Sequence, residues 1–189
     1  MTKHAGQRVN EPGADDPRDT SRAGGGLSLT TAILRSSDGI AGQSAESIPP
    51  LLARLLMQTA AVAGAAVWLV AADGTTLRCR AMEGQPNGIG PIGERFDIGA
   101  SLLGRMLRGA QPSQTPITVL LGEVLLTPAA PPALRGFTGV PLLRRDQALG
   151  ILGLFTTRPL TSGELALLAA LGQQVATELS VAAGPGPPA

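Results

Sequence analysis

The sequence predicts an α+β fold, an antiparallel sheet with α-helices packed on it. Three observations carry this. Val140–Phe155 reads as two apolar strands joined by a polar Arg-Arg-Asp-Gln turn. Thr161-Ser-Gly-Glu164 then opens a long amphipathic helix with a capping box, the Thr hydroxyl serving the third helical N–H and the Glu reaching back to the cap. Ala65–Ala71 is a short unbroken apolar run centred on Val67 and Trp68, and Asp73-Gly74 after it is a hairpin signal.

The bulk properties bound the answer. A chain of 189 residues holds one domain plus a tail. It is 43% hydrophobic with a mean hydropathy of +0.19, ample for a core. Net charge is +1, and Lys3 is the only lysine. Near-neutrality without a clustered basic stripe argues against a nucleic-acid surface. Arg78, Arg80, Arg144 and Arg145 read as a solvated strand face and turn. The apolar run Gly64–Ala72 is well short of the roughly 18–20 residues of a spanning helix, so no membrane partner is expected. No apolar signal segment opens the chain. One cysteine leaves no internal disulfide and no cysteine-cluster metal site. The expectation is a cytoplasmic protein, and the Arg-, Ala-, Gly- and Pro-rich usage fits a GC-rich bacterial genome.

Residues 1–46 read as a tail. Met1–Gly26 mixes Glu11, Asp15, Asp16 and Asp19 with Lys3, Arg8, Arg18 and Arg22 around Pro12 and Pro17, with too few apolar groups to offset ordering, so it is expected to be disordered. A short helix is a candidate at 27–40, around Leu27, Ile33, Leu34 and Ile40. The domain proper is 47–183. Pro49 and Pro50 suit the first turn of a helix, which carries Leu52, Leu55, Leu56, Thr59, Val62 and Ala63 to a stop at Gly64. After the hairpin, Leu77, Cys79 and Ala81 alternate with Arg78, Arg80 and Met82, a half-buried strand. Gly84–Gly93 is loop. Gly99–Arg108 is a short helix with Leu102, Leu103, Met106 and Leu107 inward. Ile117–Leu121 reads as a strand, and Thr127–Pro132 as loop. In the last helix Leu165, Leu168, Gly172, Val175 and Leu179 form one stripe, while Leu167 and Leu171 sit off it and widen the apolar face. They are the candidate dimer contacts, although wide burial against the sheet explains them equally. Residues 184–189, rich in Gly and Pro, form a tail.

This order of elements resembles a GAF domain over Ser47–Ala183. The likeness rests on Gly64–Val67 through Asp73-Gly74, on Phe96–Met106 with its Gly104-Arg105, and on Val140-Pro-Leu142, Leu149–Leu154 and Leu160-Thr161 onward. It implies a near six-stranded antiparallel sheet in an α/β/α-type sandwich. It also implies a cavity for a small molecule between sheet and covering loops, pairing through terminal helices, and signalling to a separate partner protein. A roadblock-type scaffold is a structural rival, since Ala65–Leu77 fits its strand-turn-strand start, but the Gly99–Arg108 helix and the late strand pair fit it less well.

The departures are informative. The Asn-Lys-Phe-Asp-Glu type signature of cyclic-nucleotide-binding members is missing. The methionine sulfoxide reductases of this fold use several cysteines, and here Cys79 is alone. Haem- and bilin-binding members use a His, yet the single histidine, His4, lies in the tail, where no general base is held in reach of a substrate. No Ser/His/Asp set is available. Cys79 reads as a small core hydrophobe, Asp97 as a cap or dipole partner, Arg105 as a solvated helix charge, and Gly88–Gly93 as plain loop because Pro91 interrupts any phosphate-binding fingerprint. Glu123 is isolated in an apolar run.

The sequence reading is therefore a non-enzymatic sensory or regulatory module, a homodimer acting in signal transduction with a separate partner, its cofactor unassigned and no metal expected. Its alternative is a ligand-free dimerisation or interaction scaffold. The expected pocket lining is Trp68, Leu77, Cys79, Met106, Phe137 and Leu152.

Overall fold

The computed structural model describes residues 27–84, 94–117 and 134–183. Helices α1 (Leu29–Ile40) and α2 (Ile48–Leu56) precede strands β1 (Val62–Val70), β2 (Thr76–Glu83) and β3 (Arg95–Asp97). Helix α3 (Leu102–Arg108), strands β4 (Ser113–Pro116), β5 (Gly136–Arg144) and β6 (Gln147–Thr156), and helix α4 (Ser162–Ala182) follow. The six strands form one antiparallel sheet in the order β3-β2-β1-β6-β5-β4.

Two apolar layers flank this sheet, and alternation along each strand decides which residue joins which. On one side α1, α2 and α4 pack over Ala65, Val67, Val140, Leu142, Leu152 and Leu154. On the other, α3 packs over Ala66, Trp68, Leu77, Phe137, Ile151 and Phe155. Strand β1 is buried on both faces, as its unbroken apolar run demands.

The hairpins follow their turn chemistry. Asp73 Oδ1 accepts from the backbone N–H groups of Thr75 and Thr76, and Gly74 takes φ +68°. The Thr75 N–H first, then the Thr76 hydroxyl and N–H, hold the Asp73 carboxyl down to about 2. Strands β5 and β6 pair from Gly136↔Thr156 to Arg144↔Gln147. The capping box of α4 is formed: Thr161 Oγ1 accepts from Glu164 N, and Glu164 Oε2 accepts from Thr161 N at 2.8 Å.

Several expectations are corrected. The 27–40 segment is helix α1, and it belongs to the packed layer: Leu29, Ile33 and Ile40 are buried, while Leu34 is 55% exposed. Helix α2 stops at Leu56, so Val62–Gly64 is strand rather than helix end. In β2, Ala81 faces the α4 side although Cys79 faces α3, because Arg80 is an extra residue opposite Val67 and Trp68 and shifts the alternation. Strand β3, three residues long, carries no periodicity to read. The short helix begins at Leu102, capped by Ser101. The fourth strand lies at Ser113–Pro116, upstream of Ile117–Leu121, of which 118–121 fall outside the described residues. The readings of 1–26, 85–93, Glu123, Thr127–Pro132 and 184–189 also fall outside them.

Among the described residues one helix, α4, is long and apolar enough to cross a bilayer by length and composition. Here Leu168, Leu171, Val175, Ala176 and Leu179 of that helix are buried in the core.

Candidate functional site

The α3 side of the sheet holds the candidate site, and cross-strand register builds it. Ser113, Gly139, Gly153 and Ala66 stand in one row across β4, β5, β6 and β1. Larger residues flank that row of small ones: Phe137 and Phe155 on one side, Ile151 and Trp68 on the other. The rings lean inward. A Cβ at Gly153 would stand 2.6 Å from both Phe137 Cζ and Trp68 Cζ3, and one at Gly139 would stand 2.6 Å from Met106 Sδ. The row is therefore a furrow filled by the side chains of Phe137, Trp68 and Met106.

All of the chain's aromatic residues, one Trp and three Phe, gather on this side. Trp68 meets Phe96 edge-on at 5.9 Å between ring centroids, and Phe137 meets Phe155 edge-on at 5.2 Å. Both geometries match the preference set by the ring quadrupole.

Five of the six expected lining residues, Trp68, Leu77, Cys79, Met106 and Phe137, come together here. Leu152 does not. It belongs to the α4-side layer, one pleat away, and Ile151 occupies the place expected of it. The furrow residues Gly139, Gly153 and Ser113 escaped the sequence reading. Small residues carry no hydropathy signal, and only cross-strand register aligns them.

Helix α3 closes the site, and its approach explains Gly104. A Cβ there would overlap the Ile98 carbonyl, so close backbone contact, not ligand chemistry, accounts for the glycine. Asp97 Oδ1 accepts from Ala100 N at 2.8 Å, the capping role expected of it. Arg105 and Arg108 are exposed, donating to the carbonyl of Ala100 and to those of Ile98 and Gly99.

Cys79 is half-buried, and its Sγ donates to Ala81 O at 3.4 Å. Burial raises its thiol pKa, which disfavours the reactive thiolate. Among the described residues no three His, Cys, Asp or Glu side chains gather where a metal ion would sit. A separate open hollow of about 440 Å³ lies on the α4 side, between Leu69, Leu149, Leu179 and Arg144.

The expected dimer contacts are placed differently from one another. Leu167 is half-buried. Leu171 is 1% exposed inside the layer that α1 completes, so it has no surface to give a second copy. The uncharged exposed face of α4 is instead Ala166, Ala170, Gln173, Thr177 and Val181.

Comparison with known proteins places these features. The GAF domain family model matches residues 45–179. The fold is similar to the GAF domain of Acinetobacter phosphoenolpyruvate-protein phosphotransferase, with 16% identity, a TM-score of 0.64, and coverage of 83% of this chain and 95% of that one. It is similar to the GAF domain of the same enzyme from Coxiella burnetii, at 18% identity and a TM-score of 0.60, covering 82% and 97%. It is also similar to free methionine-R-sulfoxide reductase from Neisseria meningitidis, solved with its substrate, at 11% identity and a TM-score of 0.67, covering 82% and 90%. No curated protein matches in sequence. At these identities the solved structures show the fold alone, whereas the family match spans most of the chain: this chain belongs to the GAF domain family.

Proposed function

We propose that this chain is a non-enzymatic sensory or regulatory module that takes a small, mainly apolar ligand on the α3 side of its sheet and acts through a separate signalling partner. The observation that supports the reading is the furrow. Phe137 and Trp68 occupy the space that Gly153 leaves and Met106 that left by Gly139, so a ligand would gain an aromatic-walled site by displacing those side chains. Concave apolar walls with few polar groups are the usual form of a small-molecule site. Sulfoxide reduction is not proposed, because the chain has a single cysteine, Cys79.

A second reading is a ligand-free scaffold that pairs with a copy of itself. It is favoured by the near-complete burial of Trp68, Phe137, Ile151 and Phe155, none more than 1% exposed. The uncharged outer face of α4, with Val181 67% exposed, favours it too. Mass spectrometry of the natively purified protein separates the two. A bound small molecule, released on denaturation, supports the sensor. A ligand-free dimer that binds none of a broad metabolite set supports the scaffold.

A further inference from the structure

One buried polar atom on the α3 side has no bonding partner among the described residues: Ser113 Oγ is closed off from solvent and none of them hydrogen-bonds to it. A buried hydroxyl in that state carries its full desolvation cost, so its presence calls for a reason. Ser113 pairs in register with Gly139, and the Gly139 position faces Met106 Sδ and Ile151 Cδ1. Directly opposed residues of an antiparallel pair share a face. The Ser113 hydroxyl thus stands at the β4 end of the furrow, in line with Gly153 and its aromatic rings.

The comparable atom among the described residues, Thr138 Oγ1, has a bland explanation that does not transfer. Thr138 pairs with Leu154 on the α4 side, where a β-branched side chain packs well on a pleated surface and its hydroxyl is carried along. Serine brings neither a branch nor strand propensity to β4. The hydroxyl is what it contributes.

We propose that Ser113 is the polar recognition point of the chamber, and that the chamber selects a small uncharged aromatic molecule bearing one hydrogen-bonding substituent, of the phenol class. This rests on the ligand-binding reading above. The edges and faces of Trp68, Phe137 and Phe155 suit an aromatic body. One serine hydroxyl, both donor and acceptor, matches one polar substituent. The side chains that fill and flank the furrow, Met106, Trp68, Phe137, Ile151 and Phe155, are uncharged, which penalises an ionised ligand.

The test uses phenol and toluene, near-isosteres that differ by the hydroxyl, titrated into the full chain while the single indole N–H resonance of Trp68 is followed by NMR. Wild type, S113A and S113T are compared. The expected result is a phenol-to-toluene affinity ratio about fivefold lower in S113A, the factor of one net hydrogen bond, and preserved in S113T. Without probe, the thermal midpoint of S113A should equal or exceed that of wild type. An unchanged ratio in S113A overturns the role of Ser113 while toluene binding at Trp68 still upholds the chamber. A lowered midpoint with an unchanged ratio marks the hydroxyl as structural and likewise overturns it. If neither probe moves the Trp68 resonance of wild type, the ligand-binding reading fails and this inference fails with it.

Discussion

Gln114 and Leu160 are joined by two reciprocal hydrogen bonds across 46 residues of sequence: Gln114 Nε2 donates to Leu160 O at 2.9 Å, and Leu160 N donates to Gln114 Oε1 at 2.8 Å. The amide side chain imitates a backbone bridge. It ties the edge strand β4, which carries Ser113, to the segment that delivers α4 onto the sheet. Gln114→Ala leaves both backbone groups of Leu160 unpaired and is expected to destabilise the fold by about 2 kcal/mol, near 1 kcal/mol per lost bond. Urea denaturation measures this, and a change below a few tenths would remove the tether from the account.

The cap of α4 is titratable. Hydrogen bonding from Arg158, then from Thr161, holds the Glu164 carboxyl down to about 2 from its ordinary 4.5. A depressed folded-state value means the stabilisation is complete above about pH 4.5 and is lost as pH falls toward 2. Glu164→Gln should therefore flatten part of the acid limb of a stability-against-pH curve. The remainder belongs partly to Asp73, also held at about 2. Thr161→Ala should cost about 1 kcal/mol at neutral pH.

Overfilling the furrow has a defined signature. Gly153→Ala forces the Phe137 and Trp68 rings apart, at a cost of about 1–3 kcal/mol. Since Trp68 is the only tryptophan, its emission should change with the substitution. An unaltered spectrum with unaltered stability would contradict the ring positions.

Cys79 should react slowly with a thiol reagent. Its burial and raised pKa both reduce accessible thiolate. The rate should rise sharply only in denaturant, and a native rate matching that of a free thiol would be inconsistent with this packing.

Arg145 offers a stabilising change. It takes φ +53° in the β5–β6 turn, a conformation that disfavours side chains. Arg145→Gly should raise stability by about 0.5–1 kcal/mol, readable as a higher denaturation midpoint.

The legible parts of the fold were those with a local chemical signature. Asp73-Gly74, the Thr161–Glu164 box and the apolar runs of β1, β5 and β6 each announce themselves within a few residues. What escaped depends on partners distant in sequence. Strand β3 exists because Thr76–Arg78 offers it an edge. Helix α1 has weak periodicity, and its burial depends on α2 and α4, with Gln174 Nε2 donating to Ser37 O to seat it. The exchange of Leu152 for Ile151 is a one-residue error of face, the kind that alternation leaves open until a neighbouring strand sets the register. The bulge at Arg80 has the same origin.

The most direct test of the central claim is an NMR screen of small aromatic and aliphatic molecules against the full chain, with perturbed resonances mapped by residue. Binders are expected whose shifts centre on the Trp68 indole, Phe137, Gly153 and Met106, leaving Val140, Leu152 and Leu154 on the α4 side unmoved. Binders that act only on the α4 side, or a screen in which nothing disturbs Trp68, would contradict it.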